Sequence, residues 1–247
     1  MAGHNVWKKI KRKKAVTDAR RGAQFTKIIK EITVAARQGG GDPAGNARLR
    51  VAIEAARAAN MPTDNIDRAV KKGTGQLDGV QYEEVTYEGY GPGGAAIFIE
   101  VTTDNAKRTV ADIRHLFTRF DGKLGTTGSV AHLFEKRGQI LVPAAKHDED
   151  ATIEAALDAG ALDVVKESEH FVVTTEPHDF HAVQEGLKKH GIAWESAEIA
   201  MIPRSTVRVE GRDAEKLVKL MGELEEHDDV ARVSSNFDVD LEALAEV

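Results

Sequence analysis

Six cations fall within seven positions near the amino terminus: Lys8, Lys9, Lys11, Arg12, Lys13 and Lys14, with only Ile10 between them. Arg20, Arg21, Lys27 and Lys30 follow. The chemistry open to such a set is phosphate binding. Each Lys or Arg placed against a phosphate releases condensed counterions, so association would weaken steeply with salt. Trp7, beside the cluster, can stack on a base or tuck against its own domain, and the two readings stand level. None of these residues specifies a base, because duplex sequence is read at groove edges rather than at phosphates.

The charge of the rest of the chain sharpens this. The first 80 of 247 residues hold 17 of the 34 Lys and Arg but only seven of the 40 Asp and Glu, a formal +10. The remainder carries −16, which the overall −6 conceals. Such a split predicts a basic segment for a polyanion attached to an acidic body that repels nucleic acid and confines it to the basic end.

Other chemistries find less support. The chain has no cysteine, which removes disulfides, thiolate metal sites, Fe–S clusters and cysteine nucleophiles. His178 and His181 have i,i+3 spacing but no third ligand is marked, and the zincin, nucleophile-elbow and kinase motifs are missing. No metal, cofactor or catalytic residue is therefore expected. Glu83, Glu84, Glu88, Asp104 and Asp112 cluster near an expected sheet, where they could hold Mg²⁺, meet a basic protein, or form a solvated surface. Gly91-Pro92-Gly93-Gly94 fits no nucleotide-binding fingerprint and reads mainly as a turn, with an anion-binding nest as the alternative. No apolar run approaches the roughly 20 residues of a membrane span, so no membrane partner is expected and a cytoplasmic location is.

Three helices must position the basic set. Phe25, Ile28, Ile29, Ile32 and Ala36 make one helical stripe that should stop at Gly39-Gly40-Gly41. Asp42-Pro43 reads as the cap and first position of a second helix carrying Leu49, Ala52, Ile53 and Ala56. Thr63 to Lys72 forms a third, and residues 73–79 read as a linker that would permit hinge motion. Asp64, Asp67 and Asn65 argue against the third helix as a recognition helix; the Arg20, Arg21, Lys27, Lys30 face of the first is the better surface.

The period then changes. Residues 84–90 and 95–102 read as a hairpin, 105–120 as a helix, and 129–135 as a strand. Residues 139–202 read as β-α-β-β-α-β, a ferredoxin-like split. Residues 206–210, 213–226 and 230–234 read as strand, helix and strand, which cannot form a domain alone. The predicted class is α+β multidomain: a basic helical domain over 1–80, a discontinuous ferredoxin-like α+β domain over 81–136 and 204–240, and a second one inserted at 137–203. Short linkers are expected at 136–138 and 203–205.

Several words in this chain occur together in a known family. They include Met1-Ala2-Gly3-His4 with Trp7, Phe25-Thr26-Lys27, the run 31–37, Gly39-Gly40-Gly41-Asp42-Pro43 and Ala59-Asn60-Met61-Pro62. Further on come Gly73-Thr74-Gly75, the run 87–94, Thr103-Asp104-Asn105, Arg108-Thr109-Val110, Gly125 and Gly128-Ser129-Val130-Ala131. In their order and spread the sequence resembles the YebC/PmpR family over its whole length. It departs at Asn5-Val6, where members usually have Ser-Lys. The resemblance implies a helical domain and two α/β domains around a cleft. It also implies a non-enzymatic, DNA-binding transcriptional regulator. The alternative it leaves open is a ribosome- or RNA-binding translation factor that relieves stalled ribosomes, as mitochondrial relatives activate translation. A hydrolase with a carboxylate-lined cleft is a third reading, which the charge split disfavours. The expected partners are nucleic acid, as DNA or as ribosomal RNA or mRNA, and, under the translation alternative, the ribosome. With no self-complementary apolar stripe in view, a monomer is expected.

Overall fold

The computed structural model describes residues 18–167 and 169–239. Helices α1 (Asp18–Gly39), α2 (Ala47–Ala58) and α3 (Thr63–Gly73) come first. Their stripes close on one another: Ile32, Ala35 and Ala36 bury against Leu49, Ala52, Ile53 and Ala56 and against Ile66 and Ala69, with Phe25, Ile28 and Ile29 at the margin. Gly73 both ends α3 and lets it approach α1. A Cβ there would run into the carbonyl of Thr33 and the methyl of Ala36.

The start of α2 differs from expectation. Asp42 and Pro43 lie in a turn, where the Asp42 side chain accepts from the Ala44 N–H at 2.9 Å. Asn46 is the cap instead. Its Oδ1 accepts from the Leu49 N–H, and its amide donates to the carbonyls of Ala35 and Gly40. One side chain thus satisfies an open donor of α2 and acceptors near the end of α1. Asp-Pro is the stronger local signal; Asn46 prevails because only it also reaches α1.

Strands β1 (Glu83–Tyr90) and β2 (Ala96–Thr103) form the expected hairpin, followed by α4 (Ala106–Arg119) and the two-residue β3 (Lys123–Leu124). Next come β4 (Phe134–Pro143), α5 (Glu149–Asp158), β5 (Asp163–Glu167), β6 (His170–Thr175), α6 (Phe180–Lys189) and β7 (Ser196–Pro203). The chain then returns through β8 (Val207–Arg208), α7 (Gly211–Glu226), β9 (Val230–Ser235) and β10 (Phe237–Asp238).

Two compact units result among the described residues: those up to Ala131 together with those from Ser205 onward, and His132–Arg204. In the first, an antiparallel sheet of order β3-β1-β2-β9 packs Ile97, Ile99 and Val101 under α4 and α7, through Ile113, Phe117, Leu217, Leu220 and Leu224. In the second, the sheet order β5-β6-β4-β7 with its β-α-β-β-α-β sequence is ferredoxin-like, with Ile140, Val142, Phe171 and Val173 beneath α5 and α6. The class is α+β: a helical bundle followed by two α+β layers, one interrupting the other.

β4 corrects the local reading. Residues 136–138 are the middle of one ten-residue strand, paired with β7 from Phe134 to Leu141. Residues 129–133 lie outside it. Glu135, Lys136, Arg137 and Gly138 look like a break because three charges precede a glycine. Arg137 is instead ion-paired with Glu135 and Glu176. Gly138 is required because a Cβ would meet Thr175 Oγ1 and the Phe180 ring. The strand expected at 206–210 shrinks to β8, which pairs in parallel with β10.

Candidate nucleic-acid interface

Of the ten cations singled out, Lys8, Lys9, Lys11, Arg12, Lys13 and Lys14 lie outside the described residues. Arg20 and Arg21 fall in the first turn of α1. Lys27 and Lys30 are corrected: both point into the protein. Lys30 is only 7% exposed, and its Nζ meets Asp229 Oδ1 at 2.5 Å and the Asp228 carbonyl at 2.9 Å, with the Tyr82 ring centre 5.6 Å away. Lys27 Nζ donates to the carbonyl of Glu225. That carbonyl belongs to the last turn of α7, where backbone acceptors lack helical partners and the helix dipole attracts a cation. Both lysines therefore dock the bundle on the acidic layer. Sequence alone counts their charges but cannot show which way they turn.

Asp229 is the centre of this junction. It is 5% exposed. Oδ2 accepts from Arg108 at 2.9 Å, Thr109 at 2.7 Å and Thr103 at 3.1 Å, while Oδ1 takes Lys30. Its N–H is held by His227 Nδ1 at 3.1 Å, and its carbonyl accepts from the Thr102 N–H. Burial alone would push the carboxyl pKa up. The hydrogen bonds from Lys30, Thr109 and Arg108 outweigh burial and hold it well below the usual carboxylate range.

A second tie runs through Arg48. Its guanidinium grips Glu31 at 2.7 and 2.9 Å and Glu84 at 2.6 and 3.2 Å, so α1, α2 and β1 meet on one planar fork. Gln38 closes the ring, accepting from Arg48 and donating to Glu84.

The carboxylates considered for a metal or a cleft are committed elsewhere. Glu88 is buried and accepts three backbone N–H groups, from Gly128, Val130 and Ala131, at 2.7–2.8 Å. It is the seat of the loop that follows β3. Glu84 is on Arg48, Asp104 on Arg108, Glu83 accepts from the Ala106 N–H, and Asp112 lies 3.6 Å from His227. No cluster of three His, Cys, Asp or Glu able to hold a metal occurs among the described residues. Gly91–Gly94 is a packed turn: Gly91 and Ala95 close it at 2.8 Å. A Cβ on Gly91 would meet Leu217 and Ile97, and one on Gly93, at φ +68°, would meet Val209.

Among the described residues, further cations outside the set singled out from the sequence face solvent. Arg57 on α2 and Arg68, Lys71 and Lys72 on α3 are exposed, and none has an ion-pair partner among the described residues. Lys107 and Arg114 on α4 behave the same way. No described helix is long and apolar enough to cross a membrane.

Comparison with known proteins agrees along the whole chain. The family model "TACO1/YebC protein N-terminal domain" matches residues 5–76, and "TACO1/YebC second and third domain" matches residues 82–237. A "Probable transcriptional regulatory protein" from Gemmatimonas aurantiaca is 55% identical over 246 residues, covering 100% of both chains. One of the same name from Acidithiobacillus ferrooxidans is 56% identical, covering 99% of this chain and 98% of the relative. The crystal structure of a conserved hypothetical protein, Aq1575 from Aquifex aeolicus, superposes with a TM-score of 0.83 at 48% identity, over 92% of this chain and 94% of that one. With its helical amino-terminal part and both α+β layers matched, the chain belongs to the TACO1/YebC family.

Proposed function

We propose that this chain is a non-enzymatic, nucleic-acid-binding regulator of gene expression, and that it acts on DNA as a transcriptional regulator in the cytoplasm. The observation that carries the reading is the charge split, +10 over the first 80 residues against −16 over the rest. The names of the relatives, which are those of regulators rather than enzymes, support it. In this reading Lys8, Lys9, Lys11, Arg12, Lys13, Lys14, Arg20 and Arg21 meet phosphates, while Lys27 and Lys30 hold the bundle on the acidic layer. The phosphate contacts supply affinity and orientation; base specificity would have to come from groove-edge contacts. The junction at Asp229 supports a rigid presentation of the basic end, because two of the bundle's cations are fixed on the body that carries it. The protein acts as a monomer.

Crosslinking in cells, with DNA and RNA recovered and sequenced separately, tests this. Enrichment at discrete promoter sites is expected. Enrichment of ribosomal RNA with no promoter signal would overturn the transcriptional reading in favour of translation.

A further inference from the structure

Helix α4 is out of character with its surroundings. Residues 81–247 hold 33 of the acidic residues against 17 basic ones, yet Ala106–Arg119 carries Lys107, Arg108, Arg114 and Arg119 against the single carboxylate of Asp112. Its first turn holds two cations and no acid. That is the end of a helix where the macrodipole disfavours positive charge. Arg108 has a local return for this, since it binds Asp229 and Asp104. Arg119 lies 3.6 Å from Glu223. Lys107 and Arg114 have no such return: both are exposed, and no carboxylate pairs with either among the described residues. Seven positions apart, they share one face of the helix and stand about 10 Å apart along its axis.

The place of α4 gives this face a partner. Along residues 223–229, Arg119 meets Glu223, Asp112 faces His227 and Arg108 meets Asp229. The same stretch takes Lys27 and Lys30 of α1. So α1, which leads back to the basic amino-terminal segment, and α4 are neighbours along it. Of the carboxylates near the face, Asp104 and Glu223 are bound to cations, Asp112 faces His227, and Glu83 accepts from the Ala106 N–H at the start of α4.

We infer that the outer face of α4, through Lys107 and Arg114, is a second phosphate-contacting surface for the nucleic acid held by the amino-terminal cations. This rests on the function proposed above and extends it: the acidic layer is not only a repelling body but carries its own contact strip beside α1. Both are exposed and neither is bonded to another side chain among the described residues, so replacing them leaves the fold intact.

The test is the salt dependence of binding of the full chain to a random-sequence DNA duplex. Lys107→Gln with Arg114→Gln is compared with a control of equal charge change, Lys136→Gln with Lys189→Gln, at two exposed sites of the inserted unit. Loss of two phosphate contacts should reduce the slope of log K against log salt by about 1.8, so that going from 50 to 200 mM salt weakens the variant about 12-fold less than the wild type. The control should keep the wild-type slope. An unchanged slope in the α4 variant, or an equal reduction in the control, would overturn the inference while leaving the proposed function standing. Absence of salt-dependent binding by the wild type would overturn the proposed function itself.

Discussion

Replacing Asp229 by Ala should unfold the junction between bundle and sheet in a way that replacing its partner does not. Without Asp229, the buried Lys30 ammonium keeps, among the described residues, the Asp228 carbonyl and the Tyr82 ring. Leaving one member of a buried pair uncompensated costs about 3–5 kcal/mol. For a chain of this size that corresponds to a fall in Tm of roughly 6–20 °C, at about 2–4 °C per kcal/mol. Replacing Lys30 by Met is different. Asp229 then keeps Arg108, Thr109 and Thr103, so the loss should be nearer that of one charged hydrogen bond, about 1.5–3 kcal/mol. The double variant should be less damaging than the sum, with a coupling of about 2 kcal/mol or more, because no orphaned charge remains. Urea unfolding followed by circular dichroism, with hydrogen exchange across α1 to localise the effect, measures all three. If Asp229→Ala falls within 1 kcal/mol of the wild type, or if Lys30→Met costs as much as Asp229→Ala, the account of the junction is wrong.

The same carboxylate sets a pH dependence. Its folded pKa is depressed, so its contribution is fully present above the unfolded value of roughly 3.9 and is lost as pH falls below it toward the folded value. The stability gap between the wild type and Asp229→Asn should therefore be constant from pH 7 to 5 and shrink below about pH 4; a gap unchanged at pH 2.5 would contradict this. Glu88→Gln should cost about 2–3 kcal/mol, since an amide can accept at only one of its two ends, and should raise hydrogen exchange at Gly128, Val130 and Ala131. Asn46→Ala removes the cap of α2 and two donated bonds to α1 and should cost about 2 kcal/mol, whereas Asp42→Ala should cost less than about 0.5 kcal/mol. The reverse order would restore Asp42 as the cap.

Much of this architecture is legible in the residues because local and global signals agree. The stripe from Phe25 to Ala36 has one period and packs the face it predicts, and the turn at Gly91–Gly94 joins the two strands read on either side of it. The reading fails where a residue serves a distant partner. Gly138 looks like a break until Phe180 is placed over it, and Asn46 looks ordinary until Ala35 and Gly40 come within reach. For the candidate site the limit is direction. Lys27 and Lys30 belong to a basic run by count, but their partners, Glu225 and Asp229, lie about 200 positions away along the chain and leave no local trace. Lys107 and Arg114 escape a count of charge for the converse reason: they sit in the acidic part of the chain, where net charge hides a cationic helix.

The central claim, that phosphate binding resides at the amino-terminal cations, is tested most directly by the salt slope of a variant in which Lys11, Arg12, Lys13 and Lys14 are all changed to Ala. With DNA duplex as the probe, the slope should flatten by as much as about 3.6 relative to the wild type, since each lost phosphate contact is worth about 0.9. An affinity and slope equal to those of the wild type would remove this segment from the mechanism and contradict the account.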